Sequence, residues 1–136
     1  MKKIILDCSA TLSWLMPVEN WPEGELLLDE IVENGAYVPN LWSLEIANSL
    51  LVAVKRKRIT HEMRLNFLSS LKDLPIEVDS STSDYAFSKI STIAQEYELT
   101  AYDASYIELA VRLKGTLATL DKALIKAANK MKVPLY

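Results

Sequence analysis

The sequence predicts an α/β domain, with a central parallel sheet flanked by helices in a three-layer arrangement. Short apolar segments with strand character alternate along the chain with longer segments of helical spacing, a pattern typical of parallel α/β folds. The chain has 136 residues, of which 50% are hydrophobic and only three are glycine. This length and composition suit one compact domain over residues 1–136, without repeats or a linker.

Five short apolar segments are the predicted strands. The first ends at Asp7, directly after Ile4-Ile5-Leu6, and the fourth ends shortly before Asp121. The fifth is only a stub near the last residue. The predicted strands are residues 3–6, 36–39, 76–78, 116–119 and 133–135.

Seven segments are predicted to be helical from their spacing, caps and stop signals. Ser9 is a possible N-cap of the first, Thr60 caps the fourth, and Lys114-Gly115 closes the sixth. In the third, residues 44, 47, 51 and 54 form an apolar stripe, and Glu45 and Asn48 share a different face. The predicted helices are residues 9–16, 22–33, 41–57, 60–73, 82–97, 102–113 and 121–131.

Composition narrows the class of protein. The net charge of −3, from 15 basic and 18 acidic residues, argues weakly against a nucleic-acid binder judged by bulk electrostatics. No apolar run reaches the length of a membrane span, and Asp7 interrupts the N-terminal apolar segment too early for an export signal. A single cysteine excludes an internal disulfide and favours a reducing, cytoplasmic setting.

Four acidic residues stand in apolar surroundings, where an unpaired carboxylate is costly to bury. Asp7 and Asp121 follow predicted strands, and Glu45 and Asp103 lie on predicted helices. Ligands of parallel α/β sheets bind at the carboxyl ends of the strands, so the fold lets these acids converge there. Converging carboxylates repel one another, and a divalent cation removes that penalty. Oxygen ligands favour Mg²⁺ or Mn²⁺ over zinc, in an arrangement suited to phosphodiester hydrolysis.

The chain resembles PIN-domain nucleases, and among them the small VapC-like toxins of toxin–antitoxin pairs. The resemblance spans essentially the whole length and is carried by four segments. They are Leu-Asp-Cys-Ser at 6–9, Glu-Ile-Ala-Asn at 45–48, Leu-Thr-Ala-Tyr-Asp-Ala-Ser-Tyr at 99–106, and Leu-Ala-Thr-Leu-Asp-Lys at 117–122.

The resemblance implies a PIN-like (Rossmann-like) fold and an endoribonuclease that uses Mg²⁺ or Mn²⁺. It also implies an antitoxin whose C-terminal segment covers the toxin's groove, and homodimers are common in the family. Ser9 and Thr119 match the family's polar support positions, and Asn48 matches the residue that often accompanies the glutamate. The family's catalytic and metal-binding acids are matched by Asp7, Glu45, Asp103 and Asp121.

Each acid also has a purely structural interpretation. Helix capping is the alternative for Asp7, and for Asp121 it explains the residue almost as well as metal binding. Asp103 could be an ordinary first-turn acid that favours the helix dipole. Glu45 could lie on a solvated helix face.

Two basic clusters are candidates for contact with the RNA backbone. Lys122 and Lys126, continued by Lys130, form a helical stripe that starts beside Asp121, and this stripe is the better candidate. A solvated helix face explains it equally well. The run at 55–58, which begins with Lys55 and Arg56, is explained more simply by a helix C-terminus that attracts cations.

The remaining distinctive residues have mainly structural interpretations. Trp14, Trp21 and Trp42 could stack on bases, but packing in the core or in a partner's groove is favoured. Cys8 is expected to be a small buried residue. His61 is expected to be exposed and to have no catalytic role.

Three other classes of protein share part of this pattern. A haloacid-dehalogenase-like phosphatase needs a second aspartate two residues after Asp7, where this chain has Ser9. A phosphoacceptor receiver domain needs a pair of acids after the first strand and an acceptor aspartate on the third strand. Neither feature is evident in this chain. The most serious rival is a PIN-like protein that is catalytically silent and binds a partner protein.

Overall fold

The computed structural model describes residues 2–16 and 21–136, and its centre is a parallel sheet. Every pair of neighbouring strands in this sheet is parallel. The strands lie in the order β3-β2-β1-β4, so β1 and β2 are internal. The four strands are β1 (Ile4–Leu6), β2 (Ala36–Val38), β3 (Ile76–Val78) and β4 (Thr116–Ala118).

Helices connect these strands and flank the sheet, which confirms the predicted α/β class. Each of the seven predicted helical segments contains an α-helix, with ends shifted by one or two residues in most cases. The described helices are α1 (Cys8–Leu15), α2 (Gly24–Asn34), α3 (Trp42–Lys55), α4 (His61–Lys72), α5 (Ser91–Tyr97), α6 (Ala101–Leu113) and α7 (Lys122–Met131). No helix among the described residues is both long and apolar enough to cross a membrane.

The prediction of one continuous helix over residues 82–97 is wrong. A 3₁₀ turn at Thr82–Tyr85 and a π-helical turn at Ala86–Ile90 precede α5. Tertiary contacts explain the altered winding. The buried hydroxyl of Thr82 donates to Asp79 and accepts from the backbone N–H of Asn40, which holds the start of this segment against the end of β3.

The core is built on the neighbouring strands β1 and β4. All three residues of β1 are buried, as are those of β4. The edge strand β3 is only partly covered. A buried, three-residue β1 leaves Asp7 at its carboxyl end, where the chain turns into α1.

The buried side of α3 differs from the stripe that the sequence suggests. Leu44 and Leu51 are exposed, at 76% and 48%, whereas Ile46 and Leu50 are buried. Apolar residues occur on several sides of this helix, so spacing alone fits more than one stripe. Tertiary packing selects the side that also contains Trp42.

Residues near Leu135 and residues around β1 both contact β4. The predicted fifth strand is instead a single parallel bridge between Leu117 and Leu135. At the start of β4, Lys114 takes the left-handed conformation (φ 53°) that ends α6. Gly115 is needed for a different reason, since a Cβ there would lie 2.8 Å from the carbonyl oxygen of Lys3. This close approach seats β4 directly beside β1.

Candidate active site

The carboxyl ends of β1 and β4 lie side by side and bring the first two site residues together. Leu6 is in register with Ala118, so Asp7 and Thr119 leave the sheet as neighbours. The backbone N–H of Asp7 also donates to the carbonyl of Ala118, at 3.2 Å. Parallel pairing therefore places residues 112 positions apart at one point of the sheet edge.

Asp7 is buried and held by three donors. Its Oδ1 accepts from the hydroxyl of Ser9 at 2.8 Å and from the backbone N–H of Ala10 at 2.8 Å. Its Oδ2 accepts from the hydroxyl of Thr119. Asp7, and not Ser9, is therefore the N-cap of α1. Its extended backbone (φ −91°, ψ 174°) is the conformation that a cap needs, whereas Ser9 already lies inside the helix.

The hydroxyls of Ser9 and Thr119 contact Asp7 and also accept hydrogen bonds from the backbone that follows β4. The Ser9 hydroxyl accepts from the backbone N–H of Leu120 at 2.9 Å, and that of Thr119 accepts from the N–H of Asp121 at 3.0 Å. The predicted support residues thus contact the carboxylate that they were expected to orient.

Glu45 approaches from α3 and contacts α6. Its side chain is half-buried, and Oε1 accepts a hydrogen bond from the hydroxyl of Tyr106. Asn48 is exposed and makes no hydrogen bond to an acid among the described contacts, so its supporting role stays a prediction. Tyr106 lies beside Glu45 instead. The sequence contained a signal for it, because Tyr106 follows Asp103 by three residues and so shares its helix face.

Asp103 and Asp121 occupy helix starts. Asp103 lies in the first turn of α6, where its N–H donates to the capping hydroxyl of Thr100 at 3.1 Å. Asp121 caps α7, because its Oδ1 accepts from the N–H of Leu124 at 2.9 Å. Capping uses one oxygen of Asp121, and the second oxygen has no hydrogen bond among the described contacts. The two interpretations of Asp121 are therefore compatible.

The pKa values of Asp7, Glu45 and Asp103 are raised, first by burial and then by the charge of a neighbouring acid. Burial raises the pKa of Asp7 to about 6, and the charge of Asp121 adds to the rise while the three hydrogen bonds oppose it. Burial, with the charge of Asp103, raises the pKa of Glu45, although the bond from Tyr106 opposes it. The pKa of Asp103 is raised by burial and by the charge of Asp121. The neighbouring charges act between Asp7 and Asp121, between Asp103 and Asp121, and between Glu45 and Asp103.

The donor set suits a hard divalent cation. Among the described residues, no three acidic, histidine or cysteine side chains lie close enough to form a ready-made metal site. Mg²⁺ does not need such a cage, because it keeps several waters and binds through one or two carboxylates. The second oxygens of Glu45 and Asp121 have no hydrogen bond among the described contacts. Asp7, Glu45, Asp103 and Asp121 would hold the ion, directly or through water.

A second acidic cluster, which the sequence did not reveal, contains its own cation. Arg112 on α6 forms two hydrogen bonds with Asp79, of 2.7 and 3.1 Å, and two with Glu108, of 2.8 and 3.1 Å. Its guanidinium lies 4.5 Å from the ring centroid of Tyr85. Both ion pairs formed by the described residues belong to this cluster.

The predicted basic residues are all exposed, but they differ in their distance from the acids along the chain. Lys122 directly follows the acid that caps α7, and Lys126 lies one turn further on. Lys55 and Arg56 end α3, more than two helical turns beyond Glu45. The α7 stripe therefore remains the better candidate for contact with RNA.

All three tryptophans pack in or against the hydrophobic core, which is the role that the sequence favoured over base stacking. Trp42 is buried and its indole N–H donates to the hydroxyl of Thr11 at 3.1 Å. Trp14 and Trp21 pack partly buried against the core. Cys8 is only half-buried, with its sulfur 3.5 Å from the hydroxyl of Ser49. His61 is exposed, as expected.

The chain is similar to known proteins in sequence and in fold. No family model matches the chain. The chain is 26% identical over 136 residues to a protein named ribonuclease VapC3 from Pyrobaculum aerophilum, and the match covers 97% of this chain and 99% of that protein.

Solved structures share the fold. PAE2754 from Pyrobaculum aerophilum aligns with a TM-score of 0.63 and 21% identity over 93% of this chain and 86% of that one. FitAcB from Neisseria gonorrhoeae aligns with a TM-score of 0.66 and 17% identity over 98% and 96%. FitAB bound to a DNA fragment aligns with a TM-score of 0.56 and 17% identity over 98% and 93%. The predicted PIN-like fold and the resemblance to VapC-like proteins are confirmed.

Proposed function

We propose that this protein is a Mg²⁺- or Mn²⁺-dependent endoribonuclease that acts as the toxin of a toxin–antitoxin pair. One observation carries the proposal: Thr119 contacts both Asp7 and the backbone of Asp121 where β1 and β4 end, Tyr106 joins Glu45 to the helix of Asp103, and no cation pairs with these four acids among the described ion pairs. The similarity to a protein named ribonuclease VapC3 supports the choice of RNA as substrate.

Each part of the site has a distinct task in this proposal. A bound Mg²⁺ or Mn²⁺ supplies a Lewis acid that activates water and stabilises negative charge on the scissile phosphate. Asp7 is the fixed ligand, because Ser9 and Thr119 hold its two oxygens. Lys122 and Lys126 would bind neighbouring backbone phosphates and position the strand.

The toxin role requires a partner. The resemblance to VapC-like toxins implies a cognate antitoxin whose C-terminal segment covers the acidic groove, and a homodimer as the working unit. We include both in the proposal. Co-expression with a candidate antitoxin, followed by measurement of complex mass and of cleavage, tests both features.

Metal binding and RNA cleavage should be measured on the same samples. We expect wild type to bind Mn²⁺ in calorimetry and to cleave RNA in a reaction that EDTA stops. Asp103→Asn should lose both properties, because it removes one ligand from the cluster. Glu62→Gln is the matched control, since it neutralises an exposed acid in the first turn of α4. Mn²⁺ binding and cleavage at the wild-type level in Asp103→Asn would refute the site.

A second candidate is a PIN-like protein that binds a partner protein without catalysis. The observation that favours it is the absence of three ready-placed metal ligands among the described residues. Wild type that binds its antitoxin but binds no Mn²⁺ at millimolar concentration would support this candidate and refute the nuclease.

A further inference from the structure

We infer that Tyr106 is a positioning residue for Glu45, and that it orients this carboxylate toward the metal. The inference rests on the proposed function, because it concerns the same metal site. Tyr106 is not itself among the ligands. It acts through its hydroxyl, which donates to Oε1 of Glu45 across the space between α6 and α3.

The position of this hydroxyl is set by the core. The side chain of Tyr106 is only 1% exposed and belongs to the hydrophobic core cluster. A ring packed on all sides is held in one rotamer. The hydroxyl is therefore a fixed point, and it lies on the same helix face as Asp103, one turn away.

Glu45, by contrast, depends on this single contact. Asp7 accepts from three donors, whereas the hydrogen bond from Tyr106 is the one that the described residues make to Glu45. Glutamate has more rotatable bonds than aspartate, so it loses more side-chain freedom when it is ordered. With Oε1 held by Tyr106, Oε2 has no described partner and can contact the ion.

The alternative is that Glu45 merely satisfies a buried tyrosine, as buried hydroxyl groups require a partner. The location argues against this interpretation. The bond joins α3, which carries Glu45, to α6, which carries Asp103. A hydroxyl that donates to a carboxylate also stabilises its ionised form, which is the form that binds a cation.

The test removes only the hydroxyl. Tyr106→Phe keeps the ring, so the melting temperature should change little. The dissociation constant for Mn²⁺, measured by calorimetry, should rise by about 10- to 100-fold, as it does when outer partners of metal ligands are removed. Tyr37→Phe is the matched control, because it removes a hydroxyl from β2 and should leave Mn²⁺ binding unchanged.

Two further measurements separate positioning from a general loss of structure. Raising the Mn²⁺ concentration should restore much of the cleavage rate of Tyr106→Phe, which a damaged fold would not allow. In wild type with 3-fluorotyrosine incorporated, Mg²⁺ should shift the ¹⁹F resonance that is missing in Tyr106→Phe, and should leave that of Tyr37 in place. Phenylalanine variants of the other five tyrosines also identify the Tyr106 resonance by elimination, so this second measurement holds even if Tyr106→Phe does not fold.

The outcomes are distinct. Equal Mn²⁺ affinity in Tyr106→Phe and wild type, or a Tyr106 resonance that does not respond to Mg²⁺ in a wild type that binds it, would overturn the inference and leave the proposed nuclease standing. Wild type that binds neither Mn²⁺ nor Mg²⁺ would overturn both.

Discussion

Helix α6 carries residues of two acidic clusters that the fold treats in opposite ways. Asp79 follows β3 just as Asp7 follows β1, yet Asp79 is paired with Arg112, whereas Asp7 lies near the charge of Asp121. The hydrogen bonds from Arg112 hold the pKa of Asp79 below its usual value, whereas burial raises the pKa of Asp7 to about 6.

Pairing with a cation distinguishes the structural acids from the candidate functional ones. An acid after a strand is a feature of both clusters, so position alone does not identify a functional group. In the Arg112 cluster both acids are paired with the guanidinium, which links α6 to the end of β3. The Asp7 cluster keeps its repulsion in the metal-free protein. Such uncompensated charge costs stability, and a function is the usual reason for retaining it.

The strongest way to test this contrast is to remove an acid from the uncompensated cluster. Asp7→Asn should lower RNA cleavage by more than about 100-fold, since losing a ligand costs more than losing an outer partner. Without metal, the same variant should be more stable at pH 7, by up to about 3 kcal/mol, because the raised pKa of Asp7 opposes folding of its charged form.

Chemical denaturation in EDTA, together with a cleavage assay, measures both effects. Asp84→Asn, at an exposed position in the 3₁₀ turn, is the control and should change neither. An Asp7→Asn variant that is inactive and clearly less stable would indicate that Asp7 serves the fold and not a metal.

The converse change removes the cation from the compensated cluster. Arg112→Met leaves Asp79 and the buried Glu108 without their partner, which should cost about 3 kcal/mol of unfolding free energy. Mn²⁺ affinity should stay within about twofold of wild type, because Arg112 contacts none of the four site acids in the described structure. Urea denaturation and calorimetry test this prediction, and a large loss of Mn²⁺ affinity would show that the two clusters are coupled.

The two clusters should also respond to pH with opposite sign. The pKa of Asp7 is higher in the folded protein than in the unfolded chain, so its contribution to stability is greatest below pH 4 and falls as the pH rises toward 6. The pKa of Asp79 is lower in the folded protein, so its contribution is complete above about pH 4 and is lost as the pH falls further.

Melting temperatures in EDTA between pH 3 and pH 7 would separate these contributions. Relative to wild type, Asp7→Asn should lose the decline between pH 4 and pH 6. Asp79→Asn should be destabilised near pH 7, and the deficit should shrink below pH 4. Identical pH profiles for the two variants would contradict the comparison.

The smallest expected effect concerns the basic residue beside the uncompensated cluster. Lys122→Ala should weaken RNA binding a few-fold and reduce the salt dependence of binding by about one ion, as loss of one phosphate contact does. Lys55→Ala is the matched control at the distant end of α3 and should change neither value. Filter binding at several salt concentrations, with Asp103→Asn to prevent cleavage, makes this measurement. Equal effects of the two substitutions would leave the α7 stripe without a special role.

The features of the two clusters that could be predicted from the sequence are those that depend on residues close together in the chain. Apolar strands that end in acids, and the caps Thr60 and Asp121, follow from neighbouring residues and from the geometry of parallel sheets. The partners of Glu45 and Asp79 could not be predicted in the same way. Tyr106 lies 61 residues from Glu45, and Arg112 lies 33 residues from Asp79.

The buried side of α3 illustrates a second limit. Spacing favoured a stripe through Leu44 and Leu51, but the core takes the side with Ile46 and Leu50. In a helix with apolar residues on several sides, only the neighbouring elements decide which side is covered. The same ambiguity does not affect β1, because a strand with helices on both faces is buried on both sides.

The pairing of β1 with β4 also determines when the site can exist during synthesis. Ile4 pairs with Thr116, so β1 lacks this neighbouring strand until β4 has been translated. A nascent chain that has not reached residue 119 holds Asp7 without the hydroxyl of Thr119 and without Asp121. The order of translation therefore delays the acidic cluster until the 112 positions that separate Asp7 from Thr119 have been made.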